Sequence, residues 1–347
     1  MSPKSFTTLS LLTAAAVIAA LVMIVSGRND GPVAGAGDAA IPGLLQKAND
    51  VAAMSIEHAG GTITLSNGED GWTVKEQHGY AARTIKVKRS ILGLAQLILK
   101  EPKTRLKKKF AKLELRDTSA QGAQSKRVRL YDKAGQLIGD IIVGKGRPGL
   151  AGTTGGGLYI RNPGEDQTWL AAGQAQGSVD LSKKVIDWLE RKIVHVDSQR
   201  VKRAVLKHPD GETLEVVKAT KEESLFALND IPADKKLISA MEPTTIGKAL
   251  SNLVLDDVKK EADTKPFDAA KTITAEFFTF DGLTVRVRLT ERDGGSWIKL
   301  DASGDHADAK AISKRTRGWV YRIADYTAST FTRRMNDLVE AKAAPKK

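Results

Sequence analysis

The stretch WLAAGQAQGSVDLSKKVIDWLE, Trp169 to Glu190, returns as WVYRIADYTASTFTRRMNDLVE, Trp319 to Glu340, without a gap and at a constant offset of 150 positions. Trp169 falls on Trp319, Leu181 on Phe331, and Lys183 and Lys184 on Arg333 and Arg334. Val185 falls on Met335, Asp187 on Asp337, Leu189 on Val339 and Glu190 on Glu340. Agreement in apolar spacing, charge sign and acidic ends together is the mark of an internal repeat. Within the first copy, the spacing of Leu181, Val185, Trp188 and Leu189 predicts a closing helix with one buried face.

The flanks repeat in the same order. Met54 to His58, Thr62 to Leu65 and Trp72 to Val74 read as a meander punctuated by Gly60-Gly61, Asn67-Gly68 and Asp70-Gly71. Ile91, Leu94, Ala95 and Ile98 then form one helical stripe, closed by Pro102. A hairpin follows, Arg127–Tyr131 and Gln136–Val143 around Asp132 to Gly135, with further strands at 158–161 and 167–171. In the second half Val205-Leu206 stands for Ser55-Ile56, Phe226 and Leu228 for Trp72 and Val74, and Ile246, Ala249, Leu250 and Leu253 for the helix stripe. Asp281-Gly282 takes the hairpin turn, and Trp297 to Leu300 replaces Leu158 to Arg161. The offset drifts only at loops. The expected fold class is α+β: two tandem homologous units, 50–192 and 193–341, each a mostly antiparallel sheet with two covering helices.

Ahead of these units, residues 5–27 carry no charge, and Leu9 to Val25 is interrupted only by Ser10 and Thr13. A helix of about 20 residues crosses a hydrocarbon core of about 30 Å. A cleaved secretory signal has a shorter apolar region with a small-x-small site close behind, whereas here Ala34-Gly35-Ala36 comes well after the run ends. Residues 1–27 are therefore expected to be an uncleaved single-pass anchor, with the amino terminus cytoplasmic and the bulk of the chain periplasmic, at an inner membrane. Residues 28–49, rich in Gly, Ala and Pro, read as a flexible linker, and 342–347 as a disordered tail.

The anchor, the W-x-V type strand, the striped helix, the Gly-turn hairpin, the Y-I-R type strand and the closing V-x-D-L-x(6)-W-L segment together resemble the uncharacterised family catalogued as domain of unknown function 4340. That resemblance implies a membrane-anchored periplasmic protein accompanying a gliding-motility-type ABC transport system, with an ABC permease or its auxiliary membrane protein as partner. It brings no activity, cofactor or binding residue with it. The second copy departs from the motif at Leu338, where the first has Trp188.

Composition bounds the chemistry. A chain of 347 residues, 41% hydrophobic, can bury real cores, and its net charge of +13 draws it toward anionic partners. Without cysteine there is no disulfide, thiol nucleophile or thiolate metal site. Gly144 to Gly149 spells G-x-G-x-x-G, but glycines and another strand follow it where a phosphate cradle needs a helix N-terminus. It reads as a candidate docking loop presenting Lys145 and Arg147. His58, His78, His195, His208 and His306 lack metal-ligand spacing, and no G-x-S-x-G occurs. No enzyme, cofactor or metal is expected. The outstanding feature is Lys100, Lys103, Arg105, Lys107, Lys108, Lys109 and Lys112 against Glu101 alone. Such a run is either a solvated face or a contact for anionic lipid, glycan or an acidic partner. Nucleic acid is not expected, since Phe110 is the single aromatic among the charges.

Overall fold

In the structure, a computed structural model, residues 35–150, 156–173 and 179–342 are described; the expected anchor at 1–27 and residues 343–347 lie outside them. No helix among the described residues is long and apolar enough to cross a membrane.

Alternating burial and tight turns build the first sheet. In β1 (Ala53–His58), β2 (Gly61–Gly68) and β3 (Gly71–Val74), every second residue, Met54, Ile56, Ile63, Leu65, Trp72 and Val74, is buried, the period a one-sided sheet requires. β4 (Tyr80–Ala81) completes the meander, and the helix Thr84–Ala95 buries Val87, Ile91 and Leu94. The chain continues through β5 (Ile98–Pro102), β6 (Lys126–Tyr131), β7 (Leu137–Arg147), β8 (Gly157–Arg161) and β9 (Thr168–Ala172). The strand order is β4-β3-β2-β1-β6-β7-β8-β9-β5, with every neighbouring pair antiparallel.

The second half runs through β10 (Lys192–Val194), β11 (Val201–Lys207), β12 (Thr213–Val217), β13 (Ala227–Leu228), β14 (Lys235–Leu237), β15 (Leu253–Val254) and β16 (Asp257–Lys260). β17 (Ile273–Thr279), β18 (Thr284–Arg292), β19 (Gly295–Ser303), β20 (Trp319–Ile323) and β21 (Val339–Ala341) complete it. Its main sheet has the order β13-β12-β11-β17-β18-β19-β20-β16. This is the first sheet's order, without a counterpart of β4. Trp169 lies opposite Pro102 and Trp319 opposite Lys260, so both tryptophans stand beside the last strand in the order of their sheet.

Three expectations need correction. Residues 28–49 are not a free linker from Gly35 on. The Gly37 and Ala40 amides donate to the carbonyls of Leu99 and Leu97, Leu99 N–H donates to Asp38, and Ala40, Ile41 and Leu44 are buried. The segment is an added edge that satisfies backbone groups β5 would otherwise leave open. Arg191 to Val196 does the same for the second half, through β10–β15 pairing and the bonds Leu255 to Arg191 and Val196 to Leu250.

The closing helix is the second correction: it is a single 3-10 turn, Val185–Trp188. Leu181, Trp188 and Leu189 are buried as expected, but Leu189 is already extended, because Arg83 N–H donates to Trp188 and Glu190 N–H to Ala81. Sheet pairing thus takes the backbone groups a helix would have used. The matching segment around Leu338 likewise pairs with β14, through β21 and the bond from Ile238 N–H to the Leu338 carbonyl.

Third, the helices are unevenly shared. Among the described residues the first half has one long helix, Thr84–Ala95, and the one-turn helices Leu44–Lys47 and Phe110–Leu113, whereas the second has Met241–Gly247, Ala307–Thr316, Asp325–Phe331 and the one-turn Met335–Leu338. Ile98 leaves the expected stripe to start β5, and Met241–Gly247 ends before Ala249, Leu250 and Leu253. At Gly247 a Cβ would run into the Phe226 ring, so glycine lets the two touch.

The two halves share one hydrophobic core. Tyr80 packs edge-on against Trp319 and Tyr321, with ring centroids 5.0 and 6.2 Å away. Around it, Gln77 donates to the Val258 carbonyl and Lys314 pairs with Asp70 at 2.8 Å. Burial pushes the Tyr80 hydroxyl up to about 12 and raises that of Tyr321 as well. The core therefore holds both phenols neutral.

Candidate anionic-surface site

The basic stretch is carried on the outer side of the first sheet. After β5 the chain runs beside the start of β9. Lys103 N–H donates to the Thr168 carbonyl, Thr168 N–H to Thr104, and the Arg105 guanidinium to Gln167 at 2.7 Å, while Lys107 pairs with Asp166 at 3.4 Å. Lys107–Lys109 then form a 3-10 turn that passes into the one-turn helix Phe110–Leu113.

Phe110 and Arg161 hold this segment down. Phe110 is buried with Leu115 and Ile142 in a small apolar cluster of its own. The Arg161 guanidinium lies 5.0 Å from the Phe110 ring centroid and donates to the carbonyls of Leu115 and Glu165 and to Asp117 at 2.6 Å. A nearly fully buried cation thus satisfies the backbone of a segment with little apolar area of its own. With Phe110 and Leu113 turned inward, the lysines point outward: Lys100, Arg105, Lys107, Lys108, Lys109 and Lys112 are exposed and Lys103 is half-buried.

Gly144 to Gly149 belongs to the same region. Gly144 to Arg147 are the last residues of β7, and the next element among the described residues is β8. A Cβ on Gly144 would collide with the Leu113 carbonyl oxygen, so this glycine admits the basic segment. Lys145 and Arg147 are exposed. Arg147 reaches Glu101 at 3.9 Å, and Lys103 pairs with the same carboxylate. The structure therefore joins two stretches that the sequence presents as separate. Among the described residues, Lys100, Arg105, Lys108, Lys109, Lys112 and Lys145 form no ion pair. Such a surface can neutralise closely spaced negative charges.

Sequence reasoning missed Arg161, which lies in a different strand and reaches the segment only through β8, and Leu106, half-exposed among the cations. The sole sequence signal for Arg161 was its place in the Y-I-R strand.

Several other polar groups are tied into local structure. Arg200 bridges Asp281 and Asp308 at 2.8 and 2.9 Å, and His306 caps the helix Ala307–Thr316 by accepting from Asp308 N–H. Burial opposes ionisation of Asp281, but hydrogen bonds from Thr279 and Arg200 and the Arg200 charge outweigh it and hold the carboxyl at about 2. His208 donates to the Arg333 carbonyl, His195 contacts the Ser251 carbonyl, and His78 faces Asp263 at 3.9 Å. His58 accepts from Gly60 N–H. Among the described residues no cluster of three or more His, Asp or Glu side chains could hold a metal ion.

A family model described as Domain of unknown function (DUF4340) matches residues 72–272, more than half of the chain. No curated protein matches it.

Proposed function

The chain belongs to the DUF4340 family, and from that premise we propose that it is a membrane-anchored, non-enzymatic periplasmic scaffold accompanying an ABC-type export or gliding-motility-like system. Its soluble part is a duplicated α+β unit. What supports the duplication is the shared strand order, the paired edge segments 37–40 and 191–196, and the paired closing segments at Trp188 and Leu338. The sequence repeat between Trp169–Glu190 and Trp319–Glu340 begins in β9 and β20 and ends in the closing segments at Trp188 and Leu338.

One observation carries the scaffold reading. The edge segment is hydrogen-bonded onto β5 from Gly37, nine positions after Arg28, where the uncharged run ends. A body joined to an anchor across so few residues is held close to a membrane, within reach of integral partners. A second reading, a binding module for anionic envelope polymer or lipid headgroups, is favoured by the unpaired cations at Lys100 to Lys112.

Topology mapping tests the premise, and the absence of native cysteine makes it direct. A cysteine introduced at exposed Asp293 should react with an impermeant maleimide added outside the inner membrane. Labelling only after the membrane is breached would refute the assignment.

A further inference from the structure

We propose that the basic face of the first sheet, with Leu106 at its centre, lies on the anionic phospholipid headgroups of the bilayer that holds the chain's own anchor. The inference rests on the anchored reading above and adds to it an orientation and a contact.

The place where the chain enters the fold is the first support. Gly35 lies against Trp169, whose ring would be 3.1 Å from a Cβ at that position, and Gly37 and Asp38 are bonded to Leu99, next to Lys100. From Trp169 back along the chain, successive residues hold the basic segment: Trp169 opposite Pro102, Thr168 against Lys103 and Thr104, Gln167 on Arg105 and Asp166 on Lys107. The entry point and the cations thus share one edge of the molecule. Arg28 and Gly35 are seven positions apart, and a chain reaches at most about 25 Å in that length. The edge that carries the cations is therefore the edge the anchor keeps near the bilayer.

The chemistry of the face is the second support. Leu106 is 50% exposed between Arg105 and Lys107, whereas its neighbour Phe110 is turned into the fold. Cations flanking an exposed apolar side chain suit the boundary between headgroups and acyl chains, which takes up both. A polyanionic glycan would pair with the charges but offer Leu106 nothing. Each basic residue at an anionic leaflet shifts the balance toward contact about fivefold, so three lysines account for about a hundredfold.

The test uses the full chain reconstituted in vesicles of phosphatidylcholine alone or with phosphatidylglycerol, each containing a lipid with a nitroxide on its headgroup. Ala111→Cys, exposed beside the lysines, carries the single fluorophore. Quenching is expected in the anionic vesicles, and high salt should reduce it, because screening acts on exposed charges. The triple variant K107E/K108E/K109E should shift the docked-to-lifted ratio about a hundredfold or more, to the level seen in phosphatidylcholine. Leu106→Ser should weaken quenching and leave its salt dependence in place. Protein that resists alkaline extraction but shows equal, low quenching in both lipids would overturn the headgroup contact while sparing the anchor. A soluble polyanion shielding the label where anionic lipid does not would overturn it in favour of a polymer. Release of the chain by alkali from both lipids would refute the anchor, and the orientation with it.

Discussion

Replacing Trp188 by alanine strikes the element at which the first half of the fold closes. Trp188 is fully buried, its Nε1–H donates to the Ser182 carbonyl at 3.0 Å, and the Lys86 ammonium lies 4.7 Å from its ring centroid. Truncating a buried tryptophan to alanine costs about 3–5 kcal/mol in transfer and cavity terms. The Ser182 carbonyl loses a hydrogen bond of about 1 kcal/mol, and the Lys86 contact adds about 0.5–2 kcal/mol. These terms overlap, since all three go with one side chain, so the expected loss is about 4–5 kcal/mol. Trp188→Phe keeps most of the packing and should lose roughly 1–2 kcal/mol, chiefly the hydrogen bond. Urea unfolding of the full chain in non-ionic detergent, followed by circular dichroism, gives both values. A loss below about 1 kcal/mol for the alanine variant would refute the placement of this residue in a closed core.

Other perturbations probe separate joints. Gly247→Ala drives a methyl into the Phe226 ring and should cost about 1–3 kcal/mol in thermal melts, with partial recovery when Phe226 is shortened to leucine. Arg161→Met removes the charge-assisted bonds that pin Leu115 and Asp117, each worth about 1.5–3 kcal/mol. Trypsin should then cut between Lys107 and Lys112 at least about tenfold faster, and an unchanged rate would deny Arg161 its anchoring role. Asp281 has a depressed folded pKa of about 2 against an ordinary 3.8, so its stabilisation is present above the ordinary value and lost as pH falls through about 2. Asp281→Asn should therefore lower the melting temperature at pH 5 to 7 and converge with the unsubstituted chain near pH 2. An equal difference at both ends would contradict the linkage.

The strands were legible wherever local chemistry decides them. Asp132 to Gly135 and Asp281-Gly282 mark hairpin turns, and alternating burial along Met54 to Ile56 and Ile63 to Leu65 follows from residue type alone. The closing segment was misread because its conformation depends on a distant partner. Leu181, Val185, Trp188 and Leu189 have helical spacing, but Ala81 to Arg83 draw the backbone at 188–190 into sheet pairing, a contact that periodicity does not register. Residues 35–49 have the composition of a tether, yet Ala39 and Ala40 are small enough to lie flat on the edge of β5. Each cation of the candidate site was visible in the sequence. Their union with Lys145 and Arg147 was not, because it depends on Gly144 admitting the segment and on Arg161 holding it.

The scaffold reading is tested most directly by crosslinking in native membranes from photoreactive residues placed at exposed sites on both halves, such as Lys108 and Tyr326. The account predicts covalent products with an integral permease or its auxiliary membrane protein, recovered repeatedly and from fixed positions. Recovery of the chain alone, from every position, would contradict it.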